Sequence, residues 1–173
     1  VKSGIPISLA KKKLKGKDAI FLPVDHVFYE EVSEEIMRIL RSHADRFEQV
    51  GIDEAYLDVS QKVKGSPEEA RELAQKIKEE VKIQQKLTCS IGVGPNKLVA
   101  KIAADIQKPD GLTIIKLEQV ESFLFPLPVS RLIGVGRKTK NKMQTLGIRT
   151  IGDLAKYDVQ RLIEVFGKKL GTY

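Results

Sequence analysis

The chain has 173 residues, 42% hydrophobic and 31% charged, with a formal net charge of +7, a composition in the ordinary range for one or two small globular domains. No apolar run approaches the roughly 20 residues that cross a bilayer, and the first residues lack the apolar stretch of a signal peptide; a membrane-spanning protein is thereby excluded and a cytoplasmic one expected, with no membrane partner. The single cysteine, Cys89, lies in an apolar, strand-like run and excludes both a disulfide framework and a thiolate metal site.

Lysines crowd the first seventeen residues (Lys2, Lys11, Lys12, Lys13, Lys15 and Lys17), and residues 19–23 follow as a short strand candidate. From Tyr29 to about Phe47, Val32, Ile36, Ile39, Leu40 and Ala44 recur at helical spacing, which predicts an amphipathic helix. Residues 47–50 and 55–59 have strand composition, and Gly51-Ile52-Asp53-Glu54 between them predicts a hairpin with the acidic pair at its bend. Ser66-Pro67-Glu68-Glu69 has the form of a capping box with proline at the first helical position, and it opens a helix striped by Ala70, Leu73, Ala74, Ile77 and Val81.

Residues 87–93 are the next strand candidate. Gly94-Pro95-Asn96 breaks that strand and leads into a helix with Leu98, Val99, Ile102, Ala103 and Ile106 on one face and Lys97 and Lys101 on the opposite one. Pro109 ends this helix near Lys108, because the residue before a proline avoids helical geometry. A short strand over 112–115 and a helix around 119–125 complete an α+β arrangement, an antiparallel sheet covered on one face by helices.

Pro126 and Pro128 punctuate a change of character, so a domain boundary is placed near 126, between residues 1–125 and 126–173. Residues 1–126 hold 20 basic and 20 acidic side chains. Residues 127–173 hold ten basic ones (Arg131, Arg137, Lys138, Lys140, Lys142, Arg149, Lys156, Arg161, Lys168 and Lys169) against Asp153, Asp158 and Glu164, so ten less three accounts for the whole +7. A positive field so concentrated suits a polyanion such as the phosphates of nucleic acid, although basic residues also make ordinary solvated surfaces. Leu132-Ile133-Gly134-Val135-Gly136-Arg137-Lys138-Thr139, with Met143, Gly147 and Gly152 beyond it, reads as a helix-hairpin-helix. Glycines at 134 and 136 let main-chain N–H groups at the start of the next helix approach a phosphate, with Arg137, Lys138 and Lys142 supplying charge. The alternative is an αα-hairpin whose glycines simply cap helices.

Asp53-Glu54 is the one acidic pair at a predicted bend, where two carboxylates can converge on a hard divalent ion such as Mg²⁺. Adjacent acidic residues also arise by chance in a chain with 23 of them. Two-metal phosphoryl transfer needs more than two carboxylates. Asp58 and Asp105 read more simply as strand and helix surface charges, so no third ligand is visible.

Taken together, Gly51-Ile52-Asp53-Glu54-Ala55-Tyr56-Leu57-Asp58-Val59, Ser90-Ile91-Gly92-Val93-Gly94-Pro95-Asn96-Lys97, Ala100-Lys101-Ile102-Ala103-Ala104-Asp105 and Lys108-Pro109-Asp110-Gly111-Leu112 resemble the palm motifs of the Y-family (translesion) DNA polymerases, in the DNA polymerase IV branch. The glycine motif at 132–139 follows where that family has its thumb, and the resemblance covers essentially the whole chain. It implies an incomplete antiparallel palm sheet covered by helices, then a small all-α helix-hairpin-helix thumb. The implied reaction is templated nucleotidyl transfer, in which a primer 3′-hydroxyl attacks the α-phosphate of a dNTP with the help of two Mg²⁺ ions. By the same resemblance Asp53 and Glu54 are catalytic metal ligands, Asp53 shared between both ions and Glu54 on the ion nearer the primer terminus. Lys108 contacts the dNTP triphosphate, and Gly134, Val135, Gly136, Arg137, Lys138, Thr139 and Lys142 hold the backbone of the primer-template DNA. A sliding clamp is a further partner of the family.

The chain departs from the family pattern at three places. Gly51 stands where the family usually has serine. The opening Val1-Lys2-Ser3-Gly4-Ile5-Pro6 matches a point inside the fingers region, and the chain stops at Gly171-Thr172-Tyr173 inside what resembles a second thumb hairpin. The expectation is therefore a piece of a polymerase, without the first palm strand and its metal-binding aspartate, most of the fingers or the little-finger domain, and inactive by itself. An incomplete sheet leaves a strand edge open, which predicts dimerisation through that edge. Two other readings stand beside this one: a non-catalytic helix-hairpin-helix DNA-binding module, and another palm-type nucleotidyl transferase such as a cyclase, which shares the metal logic but leaves the basic thumb unexplained.

Overall fold

The structure, a computed structural model, describes Val1 and residues 4–172; Lys2 and Ser3 of the stretch compared with the fingers, and Tyr173 of the one compared with the second thumb hairpin, lie outside the described residues. In chain order it comprises α1 (Ile7–Lys13), α2 (His26–Ser42), β1 (Arg46–Gln49), β2 (Ala55–Asp58), α3 (Ser60–Val63), α4 (Pro67–Gln85), β3 (Ile91–Val93), α5 (Lys97–Ile106), β4 (Leu112–Ile114), α6 (Val120–Leu124), α7 (Arg137–Thr145), α8 (Ile151–Ala155), α9 (Val159–Phe166) and α10 (Lys168–Gly171), with 3₁₀ turns at Leu117–Gln119 and Val129–Arg131. No helix among the described residues is long and apolar enough to cross a membrane.

The long helices begin where a side chain offers an acceptor to the otherwise orphaned N–H groups of the first turn. Asp25 Oδ1 takes the Phe28 N–H at 3.1 Å, Ser66 Oγ that of Glu69 at 3.1 Å, and Asn96 Oδ1 that of Val99 at 3.0 Å. Because Asp25 caps α2, that helix starts three residues before the apolar repeat suggests and ends at Ser42, which frees residues 46–49 for β1. α5 stops at Ile106, ahead of Pro109, as the proline requires. α1 has no such signal in the sequence: Pro6 at its N-cap supplies no side-chain acceptor. Residues 19–23 form no strand, and Ile20 and Leu22 are 84% and 81% exposed. A short apolar run becomes a strand only when a neighbour takes its backbone N–H and C=O groups.

The mixed α+β class holds, but the sheet is divided. β1 and β2 pair antiparallel, Arg46 opposite Asp58 through Gln49 opposite Ala55, as the hairpin predicts. β3 and β4 pair parallel, Ile91 opposite Leu112, which corrects the expectation of an antiparallel sheet throughout. The reason is α5: a helix inserted between two paired strands carries the chain back across the sheet, and the second strand then runs in the same direction as the first. Gly92 permits this close packing. A Cβ placed on it would lie 2.1 Å from the Ala100 carbonyl oxygen, so α5 rests directly on the β3 backbone.

Three apolar clusters hold the layers together. Ile39 of α2 and Ile77 and Val81 of α4 pack with Leu57 and Ile91 beneath both strand pairs. Val129, Met143, Ile148 and Leu162 form the centre of the C-terminal helices. The third cluster joins Val99 and Ile102 of α5 and Leu124 of α6 to Ile151 of α8, so the basic C-terminal helices are seated on the N-terminal part. Backbone bonds reinforce the seat, from Ile151 N–H to the Leu127 carbonyl at 2.9 Å and from Gly152 N–H to the Phe125 carbonyl at 3.1 Å.

Candidate active site and nucleic-acid interface

The β1–β2 hairpin closes when the N–H groups of Val50 and Gly51 both donate to the Glu54 carbonyl, at 3.0 and 3.2 Å. This bend presents Asp53 exposed and Glu54 half-buried. It is anchored from behind by Ser33 of α2, 6% exposed, whose hydroxyl donates to the Ile52 carbonyl. At Gly51 a Cβ would meet only Asp53 Oδ1, at 3.7 Å, an ordinary contact that leaves room for the family's serine.

The polar face of α5 looks at this bend. Lys101 donates its ammonium to Glu54 Oε1, and Lys97 pairs with Glu48 while lying 5.5 Å from the Tyr56 ring centroid. Burial works against the Lys101 charge, but the hydrogen bond and negative charge of Glu54 outweigh it and hold its pKa above the ordinary lysine value. The other nearby carboxylates serve local contacts. Asp58 accepts from the Ser60 hydroxyl at 2.6 Å and the Ser60 N–H at 3.0 Å, which hold its carboxyl below the usual range. Asp105 pairs with Lys108 at 2.7 Å. Among the described residues no group of three or more His, Cys, Asp or Glu side chains converges as a metal cage would require.

Lys108 opens the turn between α5 and β4, and its side chain is 54% exposed. The Lys108–Pro109 peptide is cis and Asp110 adopts φ +56°. Gly111 is indispensable here, since a Cβ would fall 2.4 Å from the Gln107 carbonyl oxygen.

In the C-terminal part, Gly134 turns the chain with φ +84° and Gly136 is the N-cap of α7. Glycine offers no side-chain acceptor, so the first-turn N–H groups of Arg137, Lys138 and Thr139 point outward without a capping partner. Arg137 and Lys138 are exposed and Thr139 is half-buried beside them. Lys142 is disposed differently: its ammonium donates to the Val165 carbonyl and lies 5.1 Å from the Phe166 ring centroid, tying α7 to α9. A phosphate at Lys142 would compete with that carbonyl. Two of the three acidic residues of this region serve as caps, Asp158 accepting from Arg161 N–H at 2.9 Å and Asp153 from the N–H groups of Thr150 and Arg149 at 2.8 and 3.0 Å.

Sequence reasoning missed Ser33, Lys78 and the Lys101–Glu54 pair. The only signal for Lys101 was its place on the polar face of α5; nothing local marks the other two.

Known proteins resemble the chain in both parts. The profile of the impB/mucB/samB family matches residues 1–105, and that described as "DNA polymerase-iota, thumb domain" matches residues 130–173. A DNA polymerase IV of Nitrosopumilus maritimus is 51% identical over 99% of this chain and 48% of that protein. The crystal structure of DinB from Sulfolobus solfataricus superposes with a TM-score of 0.92 at 39% identity, covering 100% of this chain and 50% of that one. An insertion ternary complex of Dbh DNA polymerase gives 0.93 at 40% identity, again over 100% of this chain and 50% of that one. The chain spans about half the length of these relatives. With one family profile matching more than half of its residues and the same fold in the solved polymerases, this chain belongs to the impB/mucB/samB family, the Y family of DNA polymerases.

Proposed function

We propose that the protein containing this chain is a DNA-directed DNA polymerase of the translesion type, copying damaged templates in DNA repair and replication in the cytoplasm. The observation that carries the reading is the Asp53–Glu54 bend: two consecutive carboxylates on one hairpin turn, pinned by Ser33, with Glu54 already facing a cation, the Lys101 ammonium. Oxygen donors of this kind suit Mg²⁺. Lys101 marks the position on Glu54 where a positive charge is stable. Two carboxylates are part of a two-ion site, and a further ligand would come from outside the described residues. Magnesium bound there would activate the primer 3′-hydroxyl and neutralise charge on the triphosphate.

The chain's own residues divide the remaining work. Asp53 and Glu54 would hold the magnesium ions at the end of the hairpin bend. Lys108, exposed on its turn, meets the triphosphate. The N–H groups that follow Gly134-Val135-Gly136, with Arg137, Lys138 and Thr139, hold the primer-template backbone without reading bases, and Lys142 braces their helix while adding charge. The 173 residues alone, with two of the required carboxylates, are inactive in this reading. Their short sheets keep open edges through which two copies can pair, and a sliding clamp would engage the whole protein.

The test is primer extension by the full-length protein on undamaged and abasic templates, wild type beside Asp53→Ala and Glu54→Ala. Extension should require Mg²⁺ and fall by about 10³-fold or more in each variant. A second reading, a non-catalytic helix-hairpin-helix DNA-binding module, is favoured by the absence of a third converging carboxylate among the described residues. Wild-type protein that binds duplex DNA but does not extend a primer would establish it and overturn the polymerase.

A further inference from the structure

Lysine is seldom buried without partners, because its ammonium is strongly hydrated and its long stem loses rotamer freedom on packing. Lys78, on α4 beside the core residue Ile77, keeps only 16% of its side chain exposed. Its three N–H donors are all engaged. They meet the Cys89 carbonyl at 2.6 Å, the Asp110 carbonyl at 2.9 Å and Asp110 Oδ1, with the Gly111 carbonyl at 3.4 Å as a fourth, distant neighbour. Cys89 lies just before β3, and Asp110 and Gly111 lead directly into β4. One ammonium thus gathers the entrances of both parallel strands onto α4.

The same grip falls two residues beyond Lys108. Asp110 sits in the left-handed region, which disfavours any residue with a Cβ, and Lys78 holds both its carbonyl and its carboxylate. On the other side Lys108 itself bonds Asp105 at 2.7 Å. The backbone at Lys108 is therefore held through the Lys78 cage two residues on, while its ammonium, at the end of a half-exposed side chain, rests on Asp105 of α5. An apolar side chain would fill the Lys78 position about as stably, since buried ion pairs rarely add net stability over well-packed hydrophobic residues. What an apolar residue cannot supply is the direction of three carbonyls and one carboxylate.

We propose that Lys78 is a positioning residue for nucleotide binding, its caged ammonium setting the turn from which Lys108 reaches the triphosphate. The inference rests on the reading of Lys108 given above. Lys78 acts through Lys108 and does not itself touch the nucleotide.

The experiment is equilibrium titration of dNTP onto the full-length protein bound to a dideoxy-terminated primer-template, for wild type, Lys78→Met, Lys78→Arg, Asp110→Asn, Lys108→Ala and the double variant Lys78→Met/Lys108→Ala. Misplacing a binding group by about 1 Å costs up to 10²-fold, so Lys78→Met should weaken dNTP binding about tenfold while leaving duplex affinity unchanged. Lys78→Arg should recover part of the loss. The double variant should bind no more weakly than Lys108→Ala alone, because there is no longer a Lys108 to misplace. A merely structural Lys78 would instead weaken binding equally in both backgrounds, and that result, or unchanged binding in Lys78→Met, overturns the proposal. If Lys78→Met does not fold, Asp110→Asn takes its place: it alters one half-exposed arm of the cage and must weaken dNTP binding in the same Lys108-dependent way, unchanged binding again overturning the proposal. A silent Lys108→Ala is a different failure, removing the triphosphate reading of Lys108 and the inference with it.

Discussion

The two ends of this chain use charge in opposite ways. Every ion pair among the described residues lies between Glu35 and Lys116, inside the stretch 1–126 whose basic and acidic side chains are matched in number, and there they engage one another: Lys78 with Asp110, Lys101 with Glu54, Lys108 with Asp105, and His43 hydrogen-bonded to Glu80. Beyond residue 126 two of the three acids, Asp153 and Asp158, are withdrawn into helix caps, and Arg137 and Lys138 of α7 are left exposed. A carboxylate held by backbone N–H groups keeps its charge but forms no ion pair with a lysine. The net charge of the C-terminal part is therefore both a matter of composition and a field the fold keeps exposed, whereas the N-terminal part spends its charge on placing a few groups accurately.

The comparison breaks most directly at the joint. Ile151 is 7% exposed and packs against Val99, Ile102 and Leu124 across the two regions. Ile151→Ala should destabilise the chain by about 2–5 kcal/mol, read as a fall in the urea midpoint with one cooperative transition retained. Two separate transitions would mean that the regions fold independently and that their difference in charge is one between two modules.

A smaller effect sharpens the field itself. Arg137→Ala with Lys138→Ala, in the full-length protein, should weaken duplex binding by on the order of tenfold at low salt, equally for all sequences, and lower the slope of log affinity against log salt by about 2. An unchanged slope would mean that these exposed cations meet no phosphate.

The smallest effect is the response to acid. Glu80 is held below its ordinary pKa of 4.5 by the hydrogen bond from His43, and Asp153 below its ordinary 3.8 by the N–H groups of Thr150 and Arg149. Both native values are depressed, so each contribution is complete above the unfolded value and is lost as pH falls through the native one. Beside these hydrogen bonds, charge from His43 and Lys76 also lowers Glu80, whereas at Asp153 charge enters only as the smallest cause, from Lys156. In about 1 M salt, where screening acts within about 3 Å, the difference in acid midpoint between wild type and Glu80→Gln should shrink while that for Asp153→Ala persists.

The same division explains what could be read from the sequence. The Asp53–Glu54 bend, the glycine turn before α7, the Ser66 cap and the end of α5 before Pro109 are all decided by a few consecutive residues, and the structure has each of them where local chemistry puts it. The groups that hold the site are not local. Lys101 meets Glu54 across 47 positions and Lys78 meets Asp110 across 32, and no spacing rule connects residues so far apart. The parallel pairing of β3 with β4 is another long-range fact, although the helix between them was the clue that an antiparallel reading passed over. Residues 19–23 err in the other direction: strand composition without a described partner strand.

Gly152 carries a consequence for how the basic surface is aimed. A methyl group there would stand 3.1 Å from both the Phe125 carbonyl oxygen and its Cβ, closer than side chains ordinarily come. α8 therefore settles against the chain at Phe125 with nothing between, and α7, which leads into it through residues 146–150, takes its angle from that contact. α7, about 13 Å long at 1.5 Å per residue, works as a lever on this fulcrum. A shim of one carbon at the pivot would tilt the cations at its far end, and the direction in which this molecule offers its positive charge is thus set by an atom that is not there.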